Sequence, residues 1–555
     1  MTNSDILDVI EMTGKIMEMH DGDPNRVRSF QNVGFSLGKV LDPFVDMSDA
    51  DLLKLQGVGK GLVAAIREIQ STGTLLELQD LLASTPEGLL DLFKIKGLGV
   101  KKIKILWKEL GLDNLNDLQI ACENGLIAQV KGFGVKTQDS ILSSLAFLQS
   151  QAGKMRMNKA HEVSQDILEA LQPLFPHIQC VGEIAQADEV VQCIQLAYPT
   201  EDRLPVAISL PNFIADPAGC APFVWRGRYA DHQIAVEVHA IPTEKWIPSR
   251  LMLTAKYAHL VKPVGGKSLL QVIHEFPNLP SEEAFYQKLE VPYIIPEMRE
   301  GRREFSWAMQ HHQDELVSWD SLKGVLHNHS TYSDGRHSLS EMATFAESLG
   351  WEYFGIADHS QTAAYAQGLG VERVQQQWIE IDTWNQQPDR IRILKGIESD
   401  ILLDGSLDYP DEILSGFDYV VASVHQTLQM DVVRATDRLI KAISHPATTI
   451  LGHPTGRLLL SRKGYPIHHK EVIAACAAYG VVMELNASPY RLDVDWRWID
   501  ECLDQGVMIS INPDAHEQEG FFDMKYGVMV ARKAGLTQDK TFNAQALDFV
   551  MSFKK

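Results

Sequence analysis

This chain has no apolar run approaching the ~20 residues that a membrane-spanning helix needs, so it is expected to stay off the membrane. Cysteine is scarce. Cys122, Cys180, Cys193, Cys220, Cys476 and Cys502 are scattered without CxxC spacing, which argues against a disulfide framework and a thiolate zinc site. Met1 to Lys15 lacks the basic-then-apolar pattern of a secretion signal, and a cytoplasmic protein is the expectation. Positive charge is in deficit too: a net charge of −22 opposes indiscriminate binding of nucleic acid through the whole surface. One stretch escapes that deficit, because Lys94 to Lys108 holds six lysines and no acid. At 555 residues, 45% of them hydrophobic, the chain is too long for one core and several globular domains are expected.

Histidine and carboxylate carry the chemistry, and they concentrate in the C-terminal part. His327-Asn328-His329 follows the apolar lead-in Val325-Leu326, and alternate strand residues point the same way, so both imidazoles share a side. Ser333-Asp334-Gly335 supplies the turn that follows. Short apolar runs then end, one after another, in a possible ligand. Phe354 to Ala357 runs into Asp358-His359, Ile391 to Lys395 into Gly396-Ile397-Glu398, and Tyr419 to Val424 into His425. Thr449 to Gly452 leads to His453, and Val507 to Ile511 leads to Asn512-Pro513-Asp514-Ala515-His516. Ligands repeated at the C-terminal ends of strands predict a β/α barrel with a metal-filled mouth.

The N-terminal part reads as helices joined by glycine turns. Gly57-Val58-Gly59, Gly97-Leu98-Gly99 and Gly132-Phe133-Gly134 each stand between two amphipathic stretches. Paired glycines permit a tight interhelical turn and leave backbone N–H groups open at the next helix start, which suits a phosphate oxygen. A single copy is as easily a helix end beside another helix. Three copies, one inside the lysine island with Lys101 and Lys102, favour DNA contact. Between the two ends, Gln151 to Asn158 is a polar stretch that suits a linker. Strand-like runs at Val206–Leu210 and Ile234–Val238 alternate with helical ones, and a charged helical passage runs from Glu297 to Trp319.

The glycine-turn array, the segment Val291-Pro292-Tyr293-Ile294-Ile295-Pro296-Glu297-Met298-Arg299-Glu300 and the C-terminal histidine pattern together resemble bacterial family X DNA polymerases fused to a PHP (polymerase and histidinol phosphatase) domain. The resemblance covers nearly the whole chain and implies a multidomain α and α/β protein. A helical, helix-hairpin-helix DNA-binding and fingers-like region is expected over 1–150, and a nucleotidyltransferase-like palm over 155–242. A thumb-like region is expected over 243–305, a linker over 306–322, and a distorted (β/α)7 PHP metal barrel over 323–555. Helix-hairpin-helix units hold DNA backbones without reading sequence.

The palm departs from the family where chemistry needs it. Gly182 matches the family's glycine, but Glu183 replaces its serine, and Ala185 and Gln186 stand where an arginine pair belongs. The two aspartate positions fall on Cys193 and Gln195, the third on Glu237, and a threonine-glycine-serine reads Thr254-Ala255-Lys256. Two-metal nucleotidyl transfer needs several carboxylate oxygens around ions about 3.5–4 Å apart. An amide, a thiol and one glutamate do not supply them, so this palm is expected to be a scaffold.

The PHP pattern is complete by the same resemblance. His327, His329, Asp334, His359, Glu398, His425, His453, Asp514 and His516 match the family's ligands, enough for about three divalent ions if Glu398 and Asp334 bridge. Imidazole-rich sites without thiolate suit Zn, Mn or Fe, and the sequence does not choose among them. Asp358 is expected to orient His359 or cap a helix, and Asp400, Asp404 and Asp408 to be solvated or supporting. Arg457 is either a phosphate anchor or a salt-bridge residue, and Asn486 is placed to line the mouth. The implied reaction is phosphoester hydrolysis by a metal-activated water, acting on a DNA 3′ end as a 3′–5′ exonuclease or in repair processing. An active family X polymerase, a histidinol-phosphatase-like enzyme for small molecules and a non-catalytic DNA-binding module are the rival readings.

Overall fold

The computed structural model describes residues 3–38, 40, 42–95, 97–202, 207–230, 232 and 234–553. It divides into two compact units, Met1–Ala152 and Gly153–Lys555. The first unit is helical. Pro24–Leu37 starts where the Asp23 carboxylate accepts hydrogen bonds from the N–H groups of Asn25 and Arg26, with proline at the first helical position. Lys60–Thr72 and Val100–Leu110 stop at Gly73 and Gly111, both in the left-handed conformation that closes a helix. Ile10, Phe44, Ile66, Leu92, Ile103 and Leu118 share one core, which pins the successive turns.

In the second unit, the helix Met157–Leu171 presents Ala160, Val163, Ile167 and Leu171 on one stripe. That stripe packs on a sheet ordered Gln179–Val181, Cys193–Thr200, Ala235–Pro242, Val224–Tyr229 and Phe213–Ala215. Cys193–Thr200 and Ala235–Pro242 run parallel, and the other pairs are antiparallel. Ile194, Leu196, Val236 and Val238 face the helix, so strand alternation sends Cys193, Gln195 and Glu237 to the opposite face. The run expected as a strand at Val206–Leu210 is not one: Val206 lies outside the described residues, and Leu210 accepts a turn hydrogen bond from Phe213 N–H.

Short helices at Trp246–Leu253, Tyr257–Val261, Leu269–Glu275 and Glu282–Gln287 build the next layer. Arg299, from the segment that carried the family resemblance, is buried at their centre. Its guanidinium donates to Glu282 Oε2 at 2.6 Å, Thr254 Oγ1 at 2.6 Å and Ile294 O at 2.9 Å. The stretch 306–322, expected as a linker, is instead built into its neighbours. Leu316 joins the thumb-like core and Val317 the barrel core, while Trp307 Nε1 donates to Gly535 O at 2.8 Å. Its apolar residues have partners on both sides, which a free linker lacks.

The C-terminal region is a parallel barrel. The sheet Gly324–Val325, Tyr353–Gly355 and Arg392–Leu394 continues through Gly396–Asp400 into Tyr419–Ser423, Ile450–Leu451, Val482–Asn486 and Ile509–Asn512. Parallel bridges between His359 and Glu398 and between Asn328 and Ala515 join the two sheets at both seams. With Arg392–Leu394 and Gly396–Asp400 counted as one interrupted strand, there are seven stations, the number the resemblance implied. No helix among the described residues is long and apolar enough to cross a membrane.

Replacing Glu282 by alanine leaves the Arg299 cation buried and missing its carboxylate. The expected cost is about 3–5 kcal/mol, seen as a lower urea midpoint for the second unit than for the wild type.

Candidate metal centre

Every strand end that faces the barrel mouth delivers its side chain to one place. Glu398, from Gly396–Asp400, is the hub: its carboxylate lies 3.3 Å from His327 Nε2, 2.9 Å from His359 Nδ1, 3.1 Å from His425 Nε2 and 3.0 Å from His453 Nε2. His329 Nε2 is 3.8 Å from Glu398 and 3.1 Å from Asp514 Oδ1. Asp334 Oδ1 stands 3.4 Å from His516 Nε2 and 3.7 Å from His359 Nε2. The structure thus brings together all nine side chains singled out in the sequence. They form four overlapping groups with donor atoms within 4.8 Å of one another: His329, Asp334, His359 and His516; His327, His453 and Asp514; His327, His329 and Glu398; and His359, Glu398 and His425.

Three carboxylates hold the cluster in shape: Asp400 takes the supporting alternative, while Glu484 and Asp358 have roles that the sequence did not give them. Glu484 accepts from His327 Nδ1 at 2.7 Å, from His453 N–H at 2.7 Å and from Asn512 Nδ2 at 3.0 Å. Asp400 accepts from His425 Nδ1 at 2.5 Å. The bonds to His327 Nδ1 and His425 Nδ1 aim the other ring nitrogen, Nε2, at Glu398, the arrangement by which a carboxylate fixes a ligand histidine's tautomer. Asp358 neither orients His359 nor caps a helix. It gathers Ser330 N–H, Ser330 Oγ, Ser333 N–H, Ser333 Oγ and Gln377 Nε2, and so fixes the turn between His329 and Asp334. Burial raises the Asp358 pKa against these hydrogen bonds. Asn486 donates to Asp514 Oδ2 at 3.1 Å, Asp408 is buried against Thr362, and Asp404 remains on the surface with Lys441.

The donor set fits divalent cations. His327 Nε2, His329 Nδ1, His359 Nδ1, His453 Nδ1 and Glu398 Oε2 are buried without a hydrogen bond, although nitrogen and oxygen approach within 4 Å. Buried polar atoms are rarely left so, and a cation bound among them would supply the partner that they lack. The electrostatics point the same way. Burial opposes charge on His425, but Glu398 and Asp400 outweigh it and hold the imidazolium up to about 10. At the partly exposed His516 desolvation again opposes charge, but Asp334 and Asp514 raise the pKa to about 9. Burial, then the neighbouring His516 and His359, drives His329 down to about 3. Glu398 and Asp514 stay far below the usual carboxylate range because the surrounding histidines outweigh their burial.

Arg457 takes the salt-bridge alternative. Its guanidinium meets Glu189 Oε1 at 3.1 Å, Asp495 Oδ2 at 2.7 Å, Arg491 O at 2.9 Å and Leu492 O, so its donors are committed to the protein and none is offered as a phosphate anchor. The cation beside the cluster is Arg491, whose Nε lies 3.4 Å from Asp514 Oδ2. Its place in Ser488-Pro489-Tyr490-Arg491 carries no strand-end signal, and sequence reading passed over it.

The palm positions also meet, to different effect. Gln195 and Glu237 are register partners on adjacent parallel strands. Glu237 receives Gln195 Nε2 at 2.8 Å, Arg226 Nε at 2.6 Å and His239 Nε2 at 3.2 Å. The His239 hydrogen bond, opposed by burial and aided by Gln195 and Arg226, lowers its pKa to about 2. Glu183 accepts from the N–H groups of Gln192 and Cys193, and burial, then Glu237 and Glu183, pushes the Cys193 thiol up to about 12. An arginine therefore sits on the carboxylate where the family resemblance implies a metal ion.

Within the helical unit the three glycine turns are not alike. Gly57 and Gly97 are left-handed, and Gly59 and Gly99 cap the next helix with no side-chain hydrogen bond. A Cβ at Gly59, Gly97 or Gly99 would meet nothing within 4 Å, so the turns are open to a partner. In the third copy Phe133 is the cap and Gly134, at φ 72, already belongs to the helix. Gly132 is left-handed at φ 93. Lys101 is exposed, whereas Lys102 Nζ donates to Gly97 O at 3.3 Å. Lys96 lies outside the described residues.

Glu484→Ala removes the acceptor that aims His327 while leaving all nine converging side chains in place. Divalent-metal affinity is expected to fall about 10- to 100-fold, measured by competition titration with a chelating dye.

Comparison with known proteins agrees with this geometry. Residues 1–75 match a helix-hairpin-helix domain family, and residues 326–488 match the PHP domain family. A protein of Bacillus subtilis named DNA polymerase/3′-5′ exonuclease PolX is 33% identical over 574 residues, covering 100% of both chains. A probable phosphatase of a Thermoanaerobacter species is 30% identical over 238 residues, 40% of this chain and 91% of its own. A probable phosphatase of Shewanella oneidensis is 28% identical over 170 residues, 30% of this chain and 63% of its own. With a helical DNA-binding unit, a palm sheet and a barrel ringed by histidines in that order, the chain belongs to the bacterial family X DNA polymerases that carry a PHP domain.

Proposed function

We propose that this protein is a metal-dependent phosphoesterase that works on DNA, removing or repairing 3′ ends as a 3′–5′ exonuclease, and that its palm does not extend primers. The contrast between two glutamates carries the reading. Glu398 lies within 4 Å of five imidazoles and has an oxygen with no hydrogen bond, while Glu237 is saturated by an arginine, an amide and a histidine. The first site has room for a cation's charge and the second already holds one.

About three ions of the Zn, Mn or Fe class are proposed for the nine-residue cluster, with Glu398 shared between groups. When bound, such ions neutralise a phosphate and acidify a water. The chain's own residues do the rest. Glu484 and Asp400 hold the imidazoles in register, and Asp358 keeps Asp334 and His329 on one rigid turn. No side-chain nucleophile is needed. The open glycine turns at Gly57–Gly59 and Gly97–Gly99 suit backbone phosphates of DNA without regard to sequence. The Bacillus relative's name includes a 3′-5′ exonuclease, which supports this substrate. The relatives named as probable phosphatases support a second reading, a small phosphomonoester as substrate.

Double replacement of His327 and His329 by alanine is expected to reduce cleavage of a 5′-labelled oligonucleotide to background while leaving its mobility shift with DNA unchanged. Chelation should do the same to the wild type, and Mn, Zn or Fe should restore it. Faster release of phosphate from a small monoester than of nucleotides from the oligonucleotide would favour the second reading. Primer extension should be absent with Mg or Mn, and templated extension by the double variant would refute the silent palm.

A further inference from the structure

Two side chains stand at the mouth with no hydrogen bond from their polar groups among the described residues. Tyr365 is 59% exposed, and its hydroxyl has no hydrogen-bond partner among the described residues. Its ring lies 6.0 Å from the His359 ring and 6.4 Å from the His425 ring. The exposure is imposed by a stiff turn. Leu369 N–H donates to His359 O at 2.8 Å, Gly368 N–H to Ala363 O at 3.0 Å and Ala366 N–H to Ala363 O at 2.9 Å. Ala363 and Ala366, on either side of Tyr365, are buried, so the turn is anchored while the ring stays out. Arg491 comes from a different loop, beside Asp514, and its guanidinium donates no hydrogen bond among the described residues. Its Nε lies 3.4 Å from Asp514 Oδ2, which places it beside the same cluster.

An aromatic face held rigid beside the cluster, with a guanidinium that is ion-paired to Asp514 but donates no hydrogen bond, matches the two ends of a nucleotide. Aromatic rings stack on bases of any sequence, and a guanidinium grips two phosphate oxygens at once. A base inside a duplex already has stacking neighbours and is not offered to a side chain. We propose that Tyr365 and Arg491 form a two-point clamp for the terminal nucleotide of a DNA strand. Tyr365 stacks on the base and Arg491 holds the phosphodiester, so the site takes a terminus that has come away from its complement. The clamp rests on the DNA phosphoesterase reading given above. It specifies what that site recognises.

The test uses full-length protein and two single-stranded oligonucleotides with the same phosphodiesters, one ending in a normal nucleotide and one in an abasic tetrahydrofuran residue. Tyr365→Ala is expected to lower kcat/KM for the first by about 5- to 30-fold and to leave the abasic end unchanged. Tyr365→Phe keeps the ring and should restore the normal rate. Arg491→Ala should slow both substrates by the same factor, with Arg491→Lys recovering only part of it. A Tyr365→Ala penalty equal on both termini, or none on either, overturns the clamp while leaving the nuclease reading intact. Failure of the wild type to cleave either oligonucleotide overturns the nuclease reading and the clamp with it.

Discussion

A carboxylate buried among five imidazoles is the constraint on which the barrel mouth depends. Glu398 is almost fully enclosed, and burying its charge without compensation is costly. In the protein alone the compensation for the acids of the mouth comes from histidines that take up protons, His425 beside Glu398 and His516 beside Asp334 among them. Those protons crowd the other imidazoles, since the rings of His329 and His516 lie 4.1 Å apart and the His516 charge helps to push the His329 pKa down. Divalent cations resolve both problems together: they balance the acids and let the imidazoles stay neutral. The geometry of the strand ends is therefore a demand for positive charge, met in advance by the oriented nitrogens.

The same chain shows the opposite solution a few hundred residues earlier. Glu237 has the strand position and the partner register of an acidic metal ligand, but its oxygens accept from Gln195, Arg226 and His239. Displacing the arginine would leave a cation without its carboxylate, so a metal ion would have to outbid a salt bridge and two further hydrogen bonds. Cys193 offers no help, because burial and the two nearby glutamates keep its thiol protonated. One glutamate is underbonded and the other is complete, and this difference separates the proposed chemistry of the barrel from the proposed silence of the palm.

How much of this was legible depends on whether the information was local. The nine cluster residues could be found because most stand at or just after the end of an apolar strand and together match one family pattern, and strand ends in a parallel barrel converge without further instruction. Glu484 could not. Its meaning comes from His327, 157 residues away, and its setting in Val482–Asn486 looks like any buried strand with one polar inward residue. Asp358 was read through its neighbour His359, but its partners are Ser330, Ser333 and Gln377. Arg457 could only be read as a phosphate anchor or a salt-bridge residue, and Arg491 was passed over, for a similar reason. A sequence shows that a guanidinium is present, and only the fold shows which one already has its acceptors. The third glycine turn matched the first two in letters, yet its helix begins one step differently and the backbone geometry is not repeated.

The palm's remaining acids explain why a sheet without its metal ligands is still bound into the molecule. Asp188 and Glu189 follow Ala185 and Gln186, the positions where the family places arginines. Glu189 accepts from Trp496 Nε1 at 3.0 Å and pairs with Arg457 and Arg497 of the barrel. Asp188 meets Lys533, whose side chain is fully buried, and Lys256 as well. Lys533 also donates to Gln186 O and pairs with Glu300. Removing this turn would leave the buried Lys533 ammonium with Glu300 alone and would take Glu189 from Arg457, whose other bonds fix the carbonyls of Arg491 and Leu492. Those carbonyls belong to the loop that carries the proposed phosphate grip. The palm thus acts on the barrel through charge pairing, setting the backbone beneath Arg491, and it can do so with no metal of its own.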